Sequence, residues 1–168
     1  APTDPAGCGR LGAIRDTQFA IEKSGARGDV LVVGGDNLFD CDFKKFLATA
    51  AGRAPAISVG LYDINDIKAA SRFGIVELDD NGGIRSFEEK PAEPKSTLVA
   101  TCIYYFPKEK VALFDKYLSE GEHTDAIGHY IRWLCETDRV CGDILGGRWV
   151  DIGDLETYER VKSMWAAI

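Results

Sequence analysis

The chain predicts an α/β layer fold with a mixed sheet. Three observations carry that expectation. Apolar runs of strand length alternate with stretches of helical periodicity along the chain. One of the runs, Val30–Val33, is continuous, the pattern of a strand covered on both faces, and Leu98–Phe106 reads as another buried strand. An Asn-Gly hairpin signal, Asp79-Asp80-Asn81-Gly82, separates two further strand-like segments at 74–78 and 83–88.

Pro2, Pro5, Gly7 and Gly9 mark residues 1–9 as a loop. Residues 10–24 carry Leu11, Ile14 and Ile21 on one helical face, and Gly25 and Gly28 stop that helix. The strand at Val30–Val33 follows. Asp42 is the expected N-cap of a helix to about residue 51, with Phe43, Phe46 and Leu47 on one face. Pro55 breaks it. Residues 56–62 form a second apolar strand, and 63–71 a short helix or loop. Pro91 and Pro94 make 89–96 a loop. After Leu98–Phe106, Pro107 opens a helix to about residue 119. Thr124 or Asp125 caps a helix bearing Ile127, Ile131 and Leu134. Residues 140–145 are a strand, and 148–152 a short one. Asp154 starts the last helix, with Leu155, Tyr158, Val161 and Trp165 along its packed side.

At 168 residues, with no linker, low-complexity run or repeat, the chain is expected to be a single domain over 1–168. It opens in a loop, with no strand ahead of its first crossover helix. It is therefore expected to be N-terminally incomplete. A missing strand would leave a sheet edge to be covered by another chain, as in a homo-oligomer, or by a lost N-terminal piece.

Hydrophobic residues make up 45% and charged residues 28%, an ordinary globular balance. The formal charge of −7 argues against nucleic-acid or anionic-membrane binding, both of which want a basic face. It leaves room for an anionic small substrate met by local cations and a metal. Cys8, Cys41, Cys102, Cys135 and Cys141 are odd in number and form no CxxC pair. With His123 and His129 alone there is no zinc pattern. Free thiols in a reducing cytoplasm are the expectation. No segment has the length of a membrane span.

Three polar constellations follow apolar strands. In Gly34-Gly35-Asp36-Asn37, the glycines permit a tight turn or close approach to a ligand. Asp36 would stand at the carboxyl end of a parallel-type strand, where open α/β sheets bind ligands and where a carboxylate can hold a metal bridging phosphates. The same residues also suit a turn or a helix cap. In Glu88-Glu89-Lys90-Pro91, a carboxylate can accept from sugar hydroxyls and an ammonium can meet a phosphate. A solvated charged loop has the same composition. In Trp149-Val150-Asp151-Ile152-Gly153-Asp154, Asp154 is the helix cap, which leaves Asp151 as the ligand-facing carboxylate. If their strands end on one edge of the sheet, Asp36 and Asp151 can converge on a divalent ion, the usual magnesium arrangement once substrate phosphates join. His123 and His129 read as structural or exposed. Tyr104-Tyr105-Phe106 reads as core, and Cys102 as a small buried hydrophobe.

Taken in order, these segments resemble the sugar-phosphate nucleotidylyltransferases, the family of glucose-1-phosphate thymidylyl- and uridylyltransferases. The resemblance rests on the strand ending in Gly35-Asp36-Asn37 and on Phe73-Gly74-Ile75-Val76-Glu77 with Gly82-Gly83-Ile84. It rests also on Phe87-Glu88-Glu89-Lys90-Pro91, Ala100-Thr101-Cys102-Ile103-Tyr104 and Trp149-Val150-Asp151-Ile152-Gly153. It implies a Rossmann-like three-layer fold with a mixed central sheet. It also implies Mg²⁺, a nucleoside triphosphate and a sugar 1-phosphate, with the nucleotidyl group passing to the sugar phosphate and pyrophosphate released.

Asp36, Lys90 and Asp151 become the catalytic set, with Asp36 and Asp151 as metal ligands. Substrate contacts fall to Asn37, Gly74, Glu89, Lys90, Thr101, Tyr104 and Gly12. Glu89 would take sugar hydroxyls, Lys90 the sugar phosphate, and the Leu11-Gly12-Ala13 segment the base. The family's N-terminal Gly-Thr-Arg loop after a first strand has no counterpart, since Gly7-Cys8-Gly9-Arg10 follows no strand. Cys102 stands where the family has Gly, which would narrow the sugar pocket. The isolated chain is therefore expected to be weakly active or inactive. The alternative is a non-catalytic module that binds a sugar phosphate or a nucleotide sugar.

Overall fold

A computed structural model describes residues 11–121 and 126–165. Residues 1–10, with Cys8 and the Gly7-Cys8-Gly9-Arg10 stretch, lie outside it, as do His123, Thr124 and Asp125.

The elements run α1 (Ala13–Ser24), β1 (Val30–Val33), β2 (Asn37–Phe39), α2 (Phe43–Gly52), β3 (Ile57–Asp63), α3 (Ile67–Ala70), β4 (Gly74–Leu78) and β5 (Ile84–Glu89). They continue with β6 (Leu98–Phe106), a 3-10 turn (Lys108–Lys110), α4 (Leu113–Ser119), α5 (Ile127–Thr137), β7 (Val140–Ile144), β8 (Trp149–Asp151) and α6 (Leu155–Trp165). Local chemistry sets most boundaries. Asp42 accepts from the Lys44 and Lys45 amides to open α2, and Asp154 accepts from the Thr157 amide ahead of α6. Gly25 ends α1 in the left-handed conformation.

β6 is the spine of the sheet. One edge carries β3 along its length, antiparallel. The other is shared by β1, paired with Ile103 to Phe106, and β4, paired at Val99. The order β5-β4-β6-β3-β7 includes one parallel pair, β3 with β7. The sheet is therefore mixed. The largely apolar composition of β6 is explained by this position, because helices cover both its faces. Ile14 of α1, Phe114 and Tyr117 of α4, and Tyr130 and Ile131 of α5 pack with Tyr104 and Phe106. Phe46 and Ala50 of α2 pack with Ile103 and Tyr105 on the opposite face. This is the expected three-layer arrangement.

Three expectations need correction. β1 is antiparallel to β6 rather than parallel-type, and it is half covered, with Leu31 38% and Val33 39% exposed. Its apolar run reads like a central strand, yet among the described strands it pairs with β6 alone. Pro107 opens a 3-10 turn, and α4 starts only at Leu113. Among the described residues of α6, Thr157 and Val161 are buried, whereas Leu155 is 75% exposed and Tyr158 lies outside. These two stand at i, i+4 on one side of the helix, so an apolar residue of α6 is not for that reason a packed one. No helix among the described residues is long and apolar enough to cross a membrane.

Candidate functional site

The site begins with a close approach. Gly34 follows β1 and donates its amide to the Cys102 carbonyl at 2.8 Å. A Cβ at Gly34 would sit 2.9 Å from both Asn37 Nδ2 and Cys102 Cβ. Glycine is what lets the 34–37 turn lie against β6. The turn delivers Asn37 into β2, which pairs antiparallel with β8 and sets Asn37 opposite Asp151. The Ile152 amide donates to the Asp36 carbonyl at 2.8 Å and ties the two segments together.

Asn37 Nδ2 then donates to Asp36 Oδ1 at 2.7 Å and to Asp151 Oδ1 at 3.3 Å. Its Oδ1 accepts from the Trp149 indole at 2.7 Å, and Trp149 packs edge-on against Phe73. One buried amide thus holds two carboxylates side by side. Burial first, and the Asp36 charge second, raise the Asp151 carboxyl above the usual aspartate range, while Arg72 and Lys90 pull it back.

The hairpin of β4 and β5 supplies a second wall, with Gly74 directly opposite Glu89. Lys90 leaves the sheet with φ 46, its amide held by the Phe73 carbonyl at 3.1 Å. Its ammonium stands 4.0 Å from Glu89 Oε1 and is largely exposed. The floor is β6. Ala100, Cys102 and Tyr104 face the cleft together, and burial raises both the Cys102 thiol and the Tyr104 phenol. Cys102 has φ 54, where the register between β6 and β3 slips between Val59 and Leu61. Ala126, Ile127 and Gly128 at the start of α5 close the far side, with Ala13 of α1.

These residues enclose a cavity of about 370 Å³, with carboxylates inside and the cations Arg72 and Lys90 among its lining residues. Asp36, Gly74, Glu89, Lys90, Tyr104 and Asp151 all line it, although they come from five separate segments.

Three expected contacts fall elsewhere. Thr101 is buried on the opposite face of β6 and donates to the Gly60 carbonyl at 2.9 Å. Side chains alternate along a strand, so Thr101 cannot share the cleft with Ala100 and Cys102. Asn37 stands behind the carboxylates, with both ends of its amide engaged by protein groups. Gly12, at φ 88, precedes α1 and adjoins the cleft through Ala13 rather than lining it. Asp125 lies outside the described residues, and Ala126 begins α5 without a side-chain cap.

Sequence reasoning also missed Arg72, whose only signal was its place just before Phe73-Gly74. Gly128 was legible only as part of the Asp125-Ala126-Ile127-Gly128 segment, which leans towards a hexose 1-phosphate, and its place against Glu89 was not.

The carboxylate pair is what a hard divalent cation needs from protein when phosphates and water complete its shell. Two like charges side by side, one of them with a raised pKa, fit a site that a cation would relieve. Among the described residues no third His, Cys, Asp or Glu joins them in a metal-holding group, so the pair fits Mg²⁺ shared with substrate better than a closed protein cage.

A family model described as nucleotidyl transferase matches residues 1–167. A glucose-1-phosphate adenylyltransferase of Thermomicrobium roseum is 30% identical over 152 residues, covering 89% of this chain and 35% of its own length. The bifunctional protein GlmU of Methanocaldococcus jannaschii is 35% identical over 129 residues, covering 74% of this chain and 28% of its own. The chain thus spans about a third of the curated relatives it matches. A crystal structure described as a glucose-1-phosphate thymidylyltransferase of Bacillus anthracis in complex with sucrose superposes with TM-score 0.77 and 23% identity. It covers 95% of this chain and 63% of that one, and shows the shared fold.

Proposed function

We propose, from the premise that this chain belongs to the nucleotidyl transferase family, that its cleft serves transfer of a nucleotidyl group from a nucleoside triphosphate to a sugar 1-phosphate. The observation that carries this reading is the convergence of Asp36, Asp151, Glu89 and Lys90 on one cavity from separate segments. Transfer of this kind asks for a place to hold phosphates, a place for polyhydroxyl sugar and a carboxylate pair for a metal. The cleft offers each.

In this reading a phosphate oxygen of the sugar 1-phosphate forms a bond to the α-phosphorus, and the bond from that phosphorus to the β-phosphate oxygen breaks. Pyrophosphate leaves with the electron pair. The protein's part is positioning. Lys90 and Arg72 meet the sugar phosphate as cations, and Glu89 accepts from sugar hydroxyls. Asp36 and Asp151 would hold Mg²⁺, which when bound neutralises phosphate charge and orients the reacting oxygens. Asn37 keeps the two carboxylates in register. Cys102 and Tyr104 form the floor and limit depth at the sugar end.

The test is ³¹P NMR of the chain with Mg²⁺, glucose 1-phosphate and each nucleoside triphosphate. Pyrophosphate and a nucleotide sugar appearing together support the reading and identify the base. Sugar-phosphate binding without turnover means a surviving half-site: a fragment of such an enzyme or a binding module. No binding of either substrate overturns the reading.

A further inference from the structure

The Glu89 carboxylate lies in a slot walled by two glycines. One is Gly74, its register partner, where a Cβ would stand 3.2 Å from Glu89 Oε2 and 2.5 Å from Phe87 Cζ. The other is Gly128 in the first turn of α5. A Cβ there would overlap Glu89 Oε2 and Cδ and stand 3.1 Å from Oε1. The Glu89 side chain is 20% exposed, so little of its position is chosen by solvent.

Nothing in α5 itself asks for glycine at 128. Its φ is negative, and it is the second residue of a regular helix of 11 residues. Glycine in a helix interior costs about 1 kcal/mol relative to alanine, and part of that cost applies in the first turn. The neighbour that benefits is Glu89. Without a side chain at 128 the carboxylate can lie close against the start of α5, where a helix N-terminus favours negative charge.

We propose that Gly128 is a positioning residue for Glu89: its missing side chain opens the slot that keeps the carboxylate aimed into the cleft and sets the shape of its sugar end. The consequence for sugar rests on the function proposed above, and the placement of the carboxylate does not. A side chain at 128 meets the far end of a flexible side chain, not backbone. The substitution therefore moves Glu89 and leaves the fold intact.

The experiment compares the full chain with Gly128→Ala, Glu89→Ala and the double variant. Three readouts are taken: the thermal midpoint, the ¹³C resonance of the Glu89 carboxyl, and calorimetric affinity for glucose 1-phosphate and for inorganic phosphate, both with Mg²⁺. Gly128→Ala is expected to melt at or above the parent temperature. It should shift the Glu89 resonance and weaken glucose 1-phosphate about tenfold, roughly 1.4 kcal/mol, while inorganic phosphate binds as before. In the Glu89→Ala background it should have no further effect, because it acts through Glu89.

An unshifted Glu89 resonance overturns the proposal, as does an equal loss of affinity with and without Glu89. Failure of the parent chain to bind glucose 1-phosphate sinks the sugar reading alone. The carboxyl resonance still decides the placement.

Discussion

Asn37 and Asp151 stand opposite each other in the register of β2 and β8, and the Asn37 amide donates to Asp151 at 3.3 Å while also donating to Asp36 at 2.7 Å. The pair of carboxylates is thus a product of one cross-strand position. A short two-stranded ribbon brings together residues 114 apart in sequence, and a buried amide sets their spacing.

Replacing Asn37 with Ala removes that spacer and leaves the Trp149 indole, its 2.7 Å donor partner, without an acceptor in a buried place. An unsatisfied buried donor costs about 1–3 kcal/mol. Denaturant unfolding should show that loss. Asn37→Asp restores an acceptor for the indole but adds a third negative charge. It should therefore recover part of the stability when Mg²⁺ is present and less when it is absent. Equal stability of Asn37→Ala and the parent would remove Asn37 from this role.

The raised carboxyl of Asp151 predicts the sign of a pH effect. A carboxyl whose folded pKa lies above its unfolded value favours the native state at low pH, and that contribution is lost as pH rises through the folded pKa. Asp151→Asn is then expected to melt above the parent at neutral pH without metal. The advantage should vanish below the ordinary aspartate range, where both forms are neutral. Adding Mg²⁺ should reverse the order. Metal at tenfold its Kd stabilises the parent by about 1.4 kcal/mol and leaves the variant unchanged. Thermal melts across pH, with and without Mg²⁺, check both parts.

Cys102 holds φ 54 in the kink of β6. For a residue with a Cβ, the left-handed region costs on the order of 1 kcal/mol, and glycine escapes that cost. Cys102→Gly is therefore expected to be more stable than Cys102→Ala by about 1 kcal/mol, the reverse of the usual ranking within strands. Both variants deepen the floor of the cleft, so any difference in sugar selectivity between them and the parent reports the thiol's bulk. Alanine proving the more stable of the two would show that the backbone at 102 relaxes without strain.

The element order was legible along the chain, since each helix and strand has its own local cause. Asp42 and Asp154 cap, Gly25 stops, Pro55 breaks, and Asn81-Gly82 turns the hairpin. Asp36, Glu89, Lys90 and Asp151 were legible as well, because each follows an apolar strand, and strand ends are where a layered sheet exposes polar groups. Thr101 was misplaced because a motif names residues without saying which face of the strand they take, and the kink at Cys102 sits in the middle of that motif. β1 was misplaced because an apolar run of four residues looks the same whether one edge or two are paired.

What the sequence determined by itself, then, is the local: propensity, caps, turns and the residue types that carry charge. Tertiary structure alone decided which of them meet. Asn37 becomes a spacer, Arg72 a cleft cation and Gly128 a wall only because segments distant in sequence, 114 residues apart for Asn37 and Asp151, set the first two beside Asp151 and Gly128 beside Glu89. Such contacts depend on register and helix placement, and those are fixed by burial of the whole core rather than by any segment of the chain.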